Sequence, residues 1–392
     1  MLSNEGFWKN NIGPNVSDYM KLRFSWGQLG NDQIDNFQYL TTYGLSGTGV
    51  IFGDELNKAI YQTRTPNPDI TWEVANKYDL GLEAKFLKGL ITFEGDIFYE
   101  KRSNILAKRR ASIPAYTGLV LPDENIGSVE NKGFDFQLGH KRTVGKFTYE
   151  ILGNVYHGNN KILFWDEEPN VPAWQKSTGR QIGAPLYYQA IGIFKDQKAI
   201  DDYPHLADAR PGDVIFKDVN KDSIINDLDR VRDNQTATPT WIFGLTMAAS
   251  FKGFDFTMLW QGAAGAKQYL RTESGLIGNF PMEFVKDRWT KDNINGSWPR
   301  PYDRDREYWV SRANTFWYWD TDYFRLKTLE LGYTLPEKWR KRAGLDDLRI
   351  YVSGQNLLTA DRVKIFDPEL PSGSGQYYPQ TKIYNIGINL TL

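Results

Sequence analysis

Ile383 to Leu392 reads IYNIGINLTL, and this stretch decides the fold class. From Tyr384 onward every second side chain is apolar (Tyr384, Ile386, Ile388, Leu390, Leu392), while Asn385, Gly387, Asn389 and Thr391 fill the alternate positions. A period of two is the signature of a β-strand with one apolar and one polar side. At the end of a water-soluble domain such a strand would leave an apolar edge open to other chains. In a transmembrane barrel it meets lipid outside, a polar lumen inside and a neighbour on each edge. The expectation is an all-β fold, an antiparallel transmembrane β-barrel.

The same alternation recurs upstream. Met20, Leu22, Phe24 and Trp26 alternate with Lys21, Arg23, Ser25 and Gly27. Tyr78, Leu80, Leu82, Ala84 and Phe86 alternate with Lys77, Asp79, Gly81, Glu83 and Lys85, so four charges share one face and none lies on the other. Further candidate strands cover 91–99, 134–140, 147–155, 241–251, 254–260, 324–333 and 348–354. With the first three this makes about ten, each near the roughly 9 to 11 residues that a tilted strand needs to cross a bilayer.

The connections alternate in length. Lys88-Gly89, Thr143 to Gly145 and Lys252-Gly253 read as tight turns, and Pro336 to Asp346 as a short helical link stopped by Gly344. Between them lie long segments at 30–75, 103–128, 158–239, 263–321 and 358–380. Short periplasmic turns opposite long extracellular loops are the asymmetry of an outer-membrane barrel, and they place the C-terminus in the periplasm.

Composition is consistent with that reading. Lys and Arg total 47 against 48 Asp and Glu, which gives no electrostatic case for nucleic acid. A mean hydropathy of -0.53 and the lack of long apolar runs exclude helical spans but not alternating strands. Aromatic residues make up 15% of the chain, including 13 Trp, an excess suited to interfacial girdles or to ring-stacking surfaces. Cysteine is absent, which excludes disulfides and thiolate metal sites. No charged-then-apolar leader opens the chain, and Leu2 to Tyr19 reads as mid-protein sequence, so the expectation is the C-terminal portion of a larger barrel.

One ligand-type constellation has tight spacing. Asp218 to Asp229 reads DVNKDSIINDLD, with side-chain oxygens of Asp218, Asn220, Asp222 and Asp229 at positions 1, 3, 5 and 12 of a calcium loop. Ile224 would offer its carbonyl at position 7, and Ile225 would anchor the loop. Ser223 stands where such loops carry glycine, and Asp229 where they carry glutamate. The alternative is a solvated Asx turn, since these side chains also bond their own backbone. Either way the role is structural, ordering a long loop.

No catalytic constellation appears. His140, His157 and His205 have no zinc-like or Ser-His spacing. Glu167-Glu168 reads as solvated surface, and Gly47-Thr48-Gly49 and Gly373-Ser374-Gly375 as loop glycines. The loop tryptophans Trp165, Trp174, Trp289, Trp298, Trp309, Trp317 and Trp319 could stack on substrate, or they could pin the loops together. Trp289, Trp298, Trp317 and Trp319 are the substrate candidates.

Several runs carry a family resemblance. They are LRFSWGQLGN at 22–31, NPDITWE at 67–73, NIGSVENKGF at 125–134, GDV at 212–214 leading into the calcium-like loop, YFRLK at 323–327, LGYTLP at 331–336, YVSGQNL at 351–357, FDPE at 366–369 and YPQ at 378–380. In this order the chain resembles the C-terminal part of the SusC/RagA-type TonB-dependent transporters of Bacteroidetes outer membranes. The resemblance implies a barrel of about 22 strands, of which residues 1–392 hold roughly the last ten. The plug and TonB box lie in a part absent here. It further implies active import of oligosaccharides or peptides, energy from the TonB complex and a SusD-like lipoprotein partner. Leu392 departs from the aromatic residue more usual at the family's last position.

Two readings compete with the importer. A soluble secreted β-rich protein that binds or cleaves glycans would bury the Tyr78–Phe86 and Tyr384–Leu392 faces in a core. A passive porin would share the barrel and lack plug and lid.

Overall fold

The computed structural model describes residues 2–11, 17–47, 49–109, 122–270, 280–301, 312–342, 344–370 and 377–391. Thr48, Trp309, the glycines of 373–375 and Leu392 lie outside them. One antiparallel sheet of ten strands organises the chain. Its strands are β1 (Tyr19–Asn31), β2 (Glu73–Phe86), β3 (Ile91–Lys108), β4 (Asp123–Val144), β5 (Phe147–Phe164), β6 (Trp241–Phe251), β7 (Phe254–Ala264), β8 (Tyr323–Thr334), β9 (Asp347–Asp361) and β10 (Ile383–Thr391). Each pairs with the next in sequence, an up-and-down order without crossovers.

Register makes the sheet two-faced. Phe24 sits opposite Leu80, Leu80 opposite Ile97, and Ile97 opposite Phe134. The row continues through His157 and Trp241. Farther along, Leu331 pairs with Val352 and Val352 with Ile386. Directly paired residues point to the same side of a sheet, so alternation within each strand becomes one continuous apolar face across all ten. Nothing among the described residues covers it: Phe24 is 70% exposed, Tyr384 75% and Ile386 81%.

The opposite face is polar and cross-linked by charge. Glu83 accepts from Lys21 at 3.1 Å and lies 3.1 Å from Arg23, which reaches Asp96 on β3 at 2.9 Å. Lys77 pairs with Glu100 at 3.1 Å and Lys141 with Glu150 at 3.0 Å. Arg349 on β9 reaches back to Asp255 on β7 at 3.0 Å and to Glu330 on β8 at 2.6 Å. Partly wet pairs of this kind contribute little stability individually, but a run of them marks a face in water.

Aromatic rings stand at two heights on the apolar face. Trp260 stacks on Phe324 with centroids 4.8 Å apart, and Phe134 meets Trp241 at 5.8 Å near the long-loop ends. Phe254 meets Tyr333 at 4.5 Å and Phe147 meets Phe251 at 6.4 Å near the short turns. Two rings of aromatics flanking an aliphatic band match the interfacial girdles of a membrane barrel.

The turns are as short as expected. Lys252 and Gly253 both take positive φ, 50° and 91°, as a two-residue hairpin between twisted strands requires. A Cβ on Gly253 would approach the Thr334 carbonyl oxygen at 2.7 Å. The second turn falls on Gly145-Lys146, because Thr143 and Val144 remain paired to Thr148 and Phe147. A helix over Glu337–Arg342 links β8 and β9, and Gly344 follows at φ 68°.

Strand bounds depart from expectation where the period of two is lost. β3, β4 and β5 run 18, 22 and 18 residues, well beyond a bilayer crossing, so 103–108, 123–128 and 158–164 are strand rather than loop. The hydrophobic core lies in the loops, not beneath the sheet: Tyr188, Val214, Phe216 and Ile225 pack together with Ala190, Leu206 and Phe316. A soluble sandwich would place its core against the apolar sheet face, and here that face is bare. Among the described residues no helix is long and apolar enough to cross a membrane.

Leu80 lies at mid-strand on the apolar face, so Leu80→Arg in the protein reconstituted in bilayers should cost about 2–4 kcal/mol in urea unfolding. Asp79→Asn, one residue along on the polar face, should cost far less; equal costs would contradict the assignment of faces.

Candidate functional site

The segments between β5 and β6 and between β7 and β8 fold into one body over the long-loop end of the sheet. Tyr188 N–H donates to the Ala313 carbonyl at 3.0 Å, Ala190 N–H to Thr315 Oγ1 at 2.9 Å, and Tyr318 Oη to the Gln235 carbonyl at 2.6 Å. Lys267 pairs with Asp233 at 3.1 Å and Arg300 with Asp213 at 2.5 Å. Tyr187 packs between Tyr269 and Tyr318 at 5.2 and 5.1 Å, and burial pushes the Tyr318 phenol well above its usual range.

Within this body the four substrate-candidate tryptophans divide into two pairs. Trp317 is fully buried, 0% exposed, so it is a packing residue in this arrangement; that corrects its assignment to substrate contact. Trp289 is held from two sides. Its Nε1 donates to the Lys195 carbonyl at 3.0 Å, and its ring lies on Gly212, where a Cβ would sit 2.6 Å from Trp289 Cε3. The GDV run thus needs its glycine for space as well as for φ 91°. Trp298 and Trp319 stack at 5.7 Å and 27° and line an open cleft of about 450 Å³ with Tyr318, Asp320 and Arg362. Arg362 Nη1 donates to Asp320 Oδ2 at 2.6 Å at its rim.

The calcium-spaced segment is curled but closed on itself. Asp218 accepts from Lys221 N–H at 2.7 Å and from Ser223 N–H at 2.9 Å; Asp222 accepts from Ile224 N–H at 2.8 Å and Asn220 from Asp222 N–H at 3.2 Å. Lys221 and Ser223 take φ of 63° and 65°, the left-handed turns that a calcium loop uses, Ser223 doing so without glycine. Asp229 is fully buried and bridges Val219 N–H at 2.8 Å and Asn226 N–H at 2.9 Å. Ile224 is exposed, and Ile225 packs into the core with Tyr188. Among the described residues no three acidic or histidine side chains converge as a metal cluster.

A buried ionic latch escaped the sequence reading. Arg325, 2% exposed on β8, donates to Asp367 at 2.9 Å, to Thr359 Oγ1 at 3.0 Å and to Glu369. Tyr323 Oη donates to Glu369 at 2.9 Å, and Asp367 also accepts from Gln380 N–H at 3.1 Å. YFRLK and FDPE are therefore two halves of one contact, which pins the segment after β9 to the polar face. Removing one partner of a buried charged cluster costs about 3–5 kcal/mol. Arg325→Ala should make 362–382 the first site cut by limited trypsin digestion, and an unchanged digestion pattern would contradict the latch.

Comparisons with known proteins place this geometry. The profile of the family described as TonB dependent receptor-like, beta-barrel, matches residues 7–357. TonB-dependent receptor P3 of Formosa agariphila is 27% identical over 99% of this chain and 40% of its own length. TonB-dependent receptor SusC of Bacteroides thetaiotaomicron is 26% identical over 99% of this chain and 39% of its own length. Among solved structures, the RagAB peptide importer in its open-open state superposes with a TM-score of 0.71 at 21% identity, over 98% of this chain and 42% of that one. The chain thus spans about 40% of the length of the curated relatives it matches. It belongs to the TonB-dependent receptor-like β-barrel family.

Proposed function

We propose that residues 1–392 form the C-terminal part of the barrel of an outer-membrane importer that takes up oligosaccharides or peptides. The observation that carries this reading is the ten-strand sheet with one uncovered apolar face, aromatic at two heights, and one charge-laced polar face. Lipid fits the first and a water-filled lumen the second. The short turns and the C-terminal end of β10 are periplasmic, and the segments 158–239 and 263–321 are extracellular. Energy comes from the TonB complex through a plug and TonB box outside these residues, and a SusD-like lipoprotein captures substrate above the loops. The name RagAB peptide importer of one structural neighbour supports the peptide half of this substrate range. The role is carriage, with no bond made or broken.

The test is uptake in the native host. Deleting the gene should abolish growth on a glycan or peptide source that wild type uses, and loss of TonB should give the same phenotype. Uptake that persists without TonB would mark a passive pore and overturn the active reading.

A structural calcium ion on Asp218, Asn220, Asp222, Ile224 and Asp229 belongs to the same proposal. The left-handed turns at Lys221 and Ser223 support it, and the carboxylates retain lone pairs beyond those used by backbone N–H groups. Calorimetric titration with Ca²⁺ should give saturable binding that disappears in Asp218→Ala/Asp222→Ala, with faster proteolysis of 196–239. Equal affinity in the double variant would remove the metal and leave the Asx turn.

A further inference from the structure

We propose that the cleft between Trp298, Trp319 and the Asp320–Arg362 pair is a subsite for one sugar ring of an uncharged glycan. The inference rests on the import reading for how a ligand reaches the cleft, but binding there can be measured without transport. At about 450 Å³ the cleft falls within the roughly 300–1,000 Å³ range of small-molecule sites. Its wall is flat and apolar, two near-parallel indoles 5.7 Å apart. The C–H faces of a pyranose pack against such a surface.

The polar side of the cleft narrows the class further. Among the described residues, Asp320 and Arg362 are its only charged lining residues, and they pair with each other at 2.6 Å. An acidic or basic ligand would meet no net opposite charge. A ring with neighbouring hydroxyls can donate to the carboxylate and accept from the guanidinium at once, since Asp only accepts and Arg only donates. Arg362 keeps 71% of its side chain exposed, so its fork is open to a ligand while it holds Asp320.

The two sides of the site come from different parts of the chain. Trp298 and Trp319 belong to the segment before β8, and Arg362 directly follows β9, next to the segment pinned by Arg325. The subsite is thus assembled by folding of the loop body, which explains why neither half announces itself in sequence.

The test uses the complete protein purified in detergent. Its probes are an array of neutral oligosaccharides, including maltoheptaose, laminarihexaose, mannohexaose and xylohexaose, and a tryptic digest of casein. Retention on at least one oligosaccharide is expected, weakened roughly tenfold in Trp319→Ala and in Arg362→Ala. Arg362 is an exposed side chain, so its variant keeps the test valid if Trp319→Ala disturbs the loop body. Binding of casein peptides alone, binding of neither set, or oligosaccharide binding unchanged in both variants would overturn the subsite. Normal TonB-dependent uptake by the two variants would also overturn it while leaving the import reading intact. TonB-independent uptake together with variant-sensitive glycan binding would do the reverse.

Discussion

Everything in this chain depends on the registered pairing of ten strands whose side chains alternate in polarity. A slip of one residue between any two neighbours would carry an entire apolar row to the charged side. The register prevents this by redundancy: Leu80 is fixed by Phe24 on one side and Ile97 on the other, and Arg23 reaches across β2 to Asp96. Pairing also satisfies backbone N–H and C=O groups within the sheet, which a bilayer demands because lipid offers them no partner. The bulges between β7, β8 and β9, at Leu259/Trp260 and Leu326/Thr328, lie near the long-loop end, next to Arg325. There the strands bend toward the latch without shifting the apolar rows below.

Placing the hydrophobic core in the loops follows from the same constraint. A barrel wall has no second layer to pack against, so the long segments must supply their own interior. Tyr188, Phe216 and Ile225 do so with help from Phe316, and Trp317 completes the body. Ion pairs that link distant segments, Arg300 to Asp213 and Lys267 to Asp233, fix the two long loops to each other. The result is a packed body at the long-loop end of the sheet, and the cleft of Trp298 and Trp319 is part of it.

Alternation made the sheet legible from sequence, and its loss set the limit. The rows through Leu80, Leu331 and Ile386 could be read directly, as could the Lys252-Gly253 turn. Beyond the alternating stretches, Ser103 to Lys108 and Asp123 to Ser128 show no period of two and read as loop although they are strand. The loop body was less legible because its contacts join residues far apart in sequence. Nothing local marks Trp317 as buried or Trp298 as lining a cleft, and Arg325 stood out only as part of a family motif, since its partners Asp367 and Glu369 come some 40 residues later. Spacing did reveal the curl of 218–229, because Asp and Asn at short intervals shape the backbone locally.

The central claim is that one sheet face meets lipid and the other water. The most direct measurement is carbene photolabelling of the complete protein in bilayers with a lipid-soluble reagent, mapped residue by residue by mass spectrometry. The account predicts label on Leu80, Leu331, Val352 and Ile386 and none on the alternating Asp79, Glu330, Tyr351 and Asn385. Label on the alternate set, or protection of both, would contradict it.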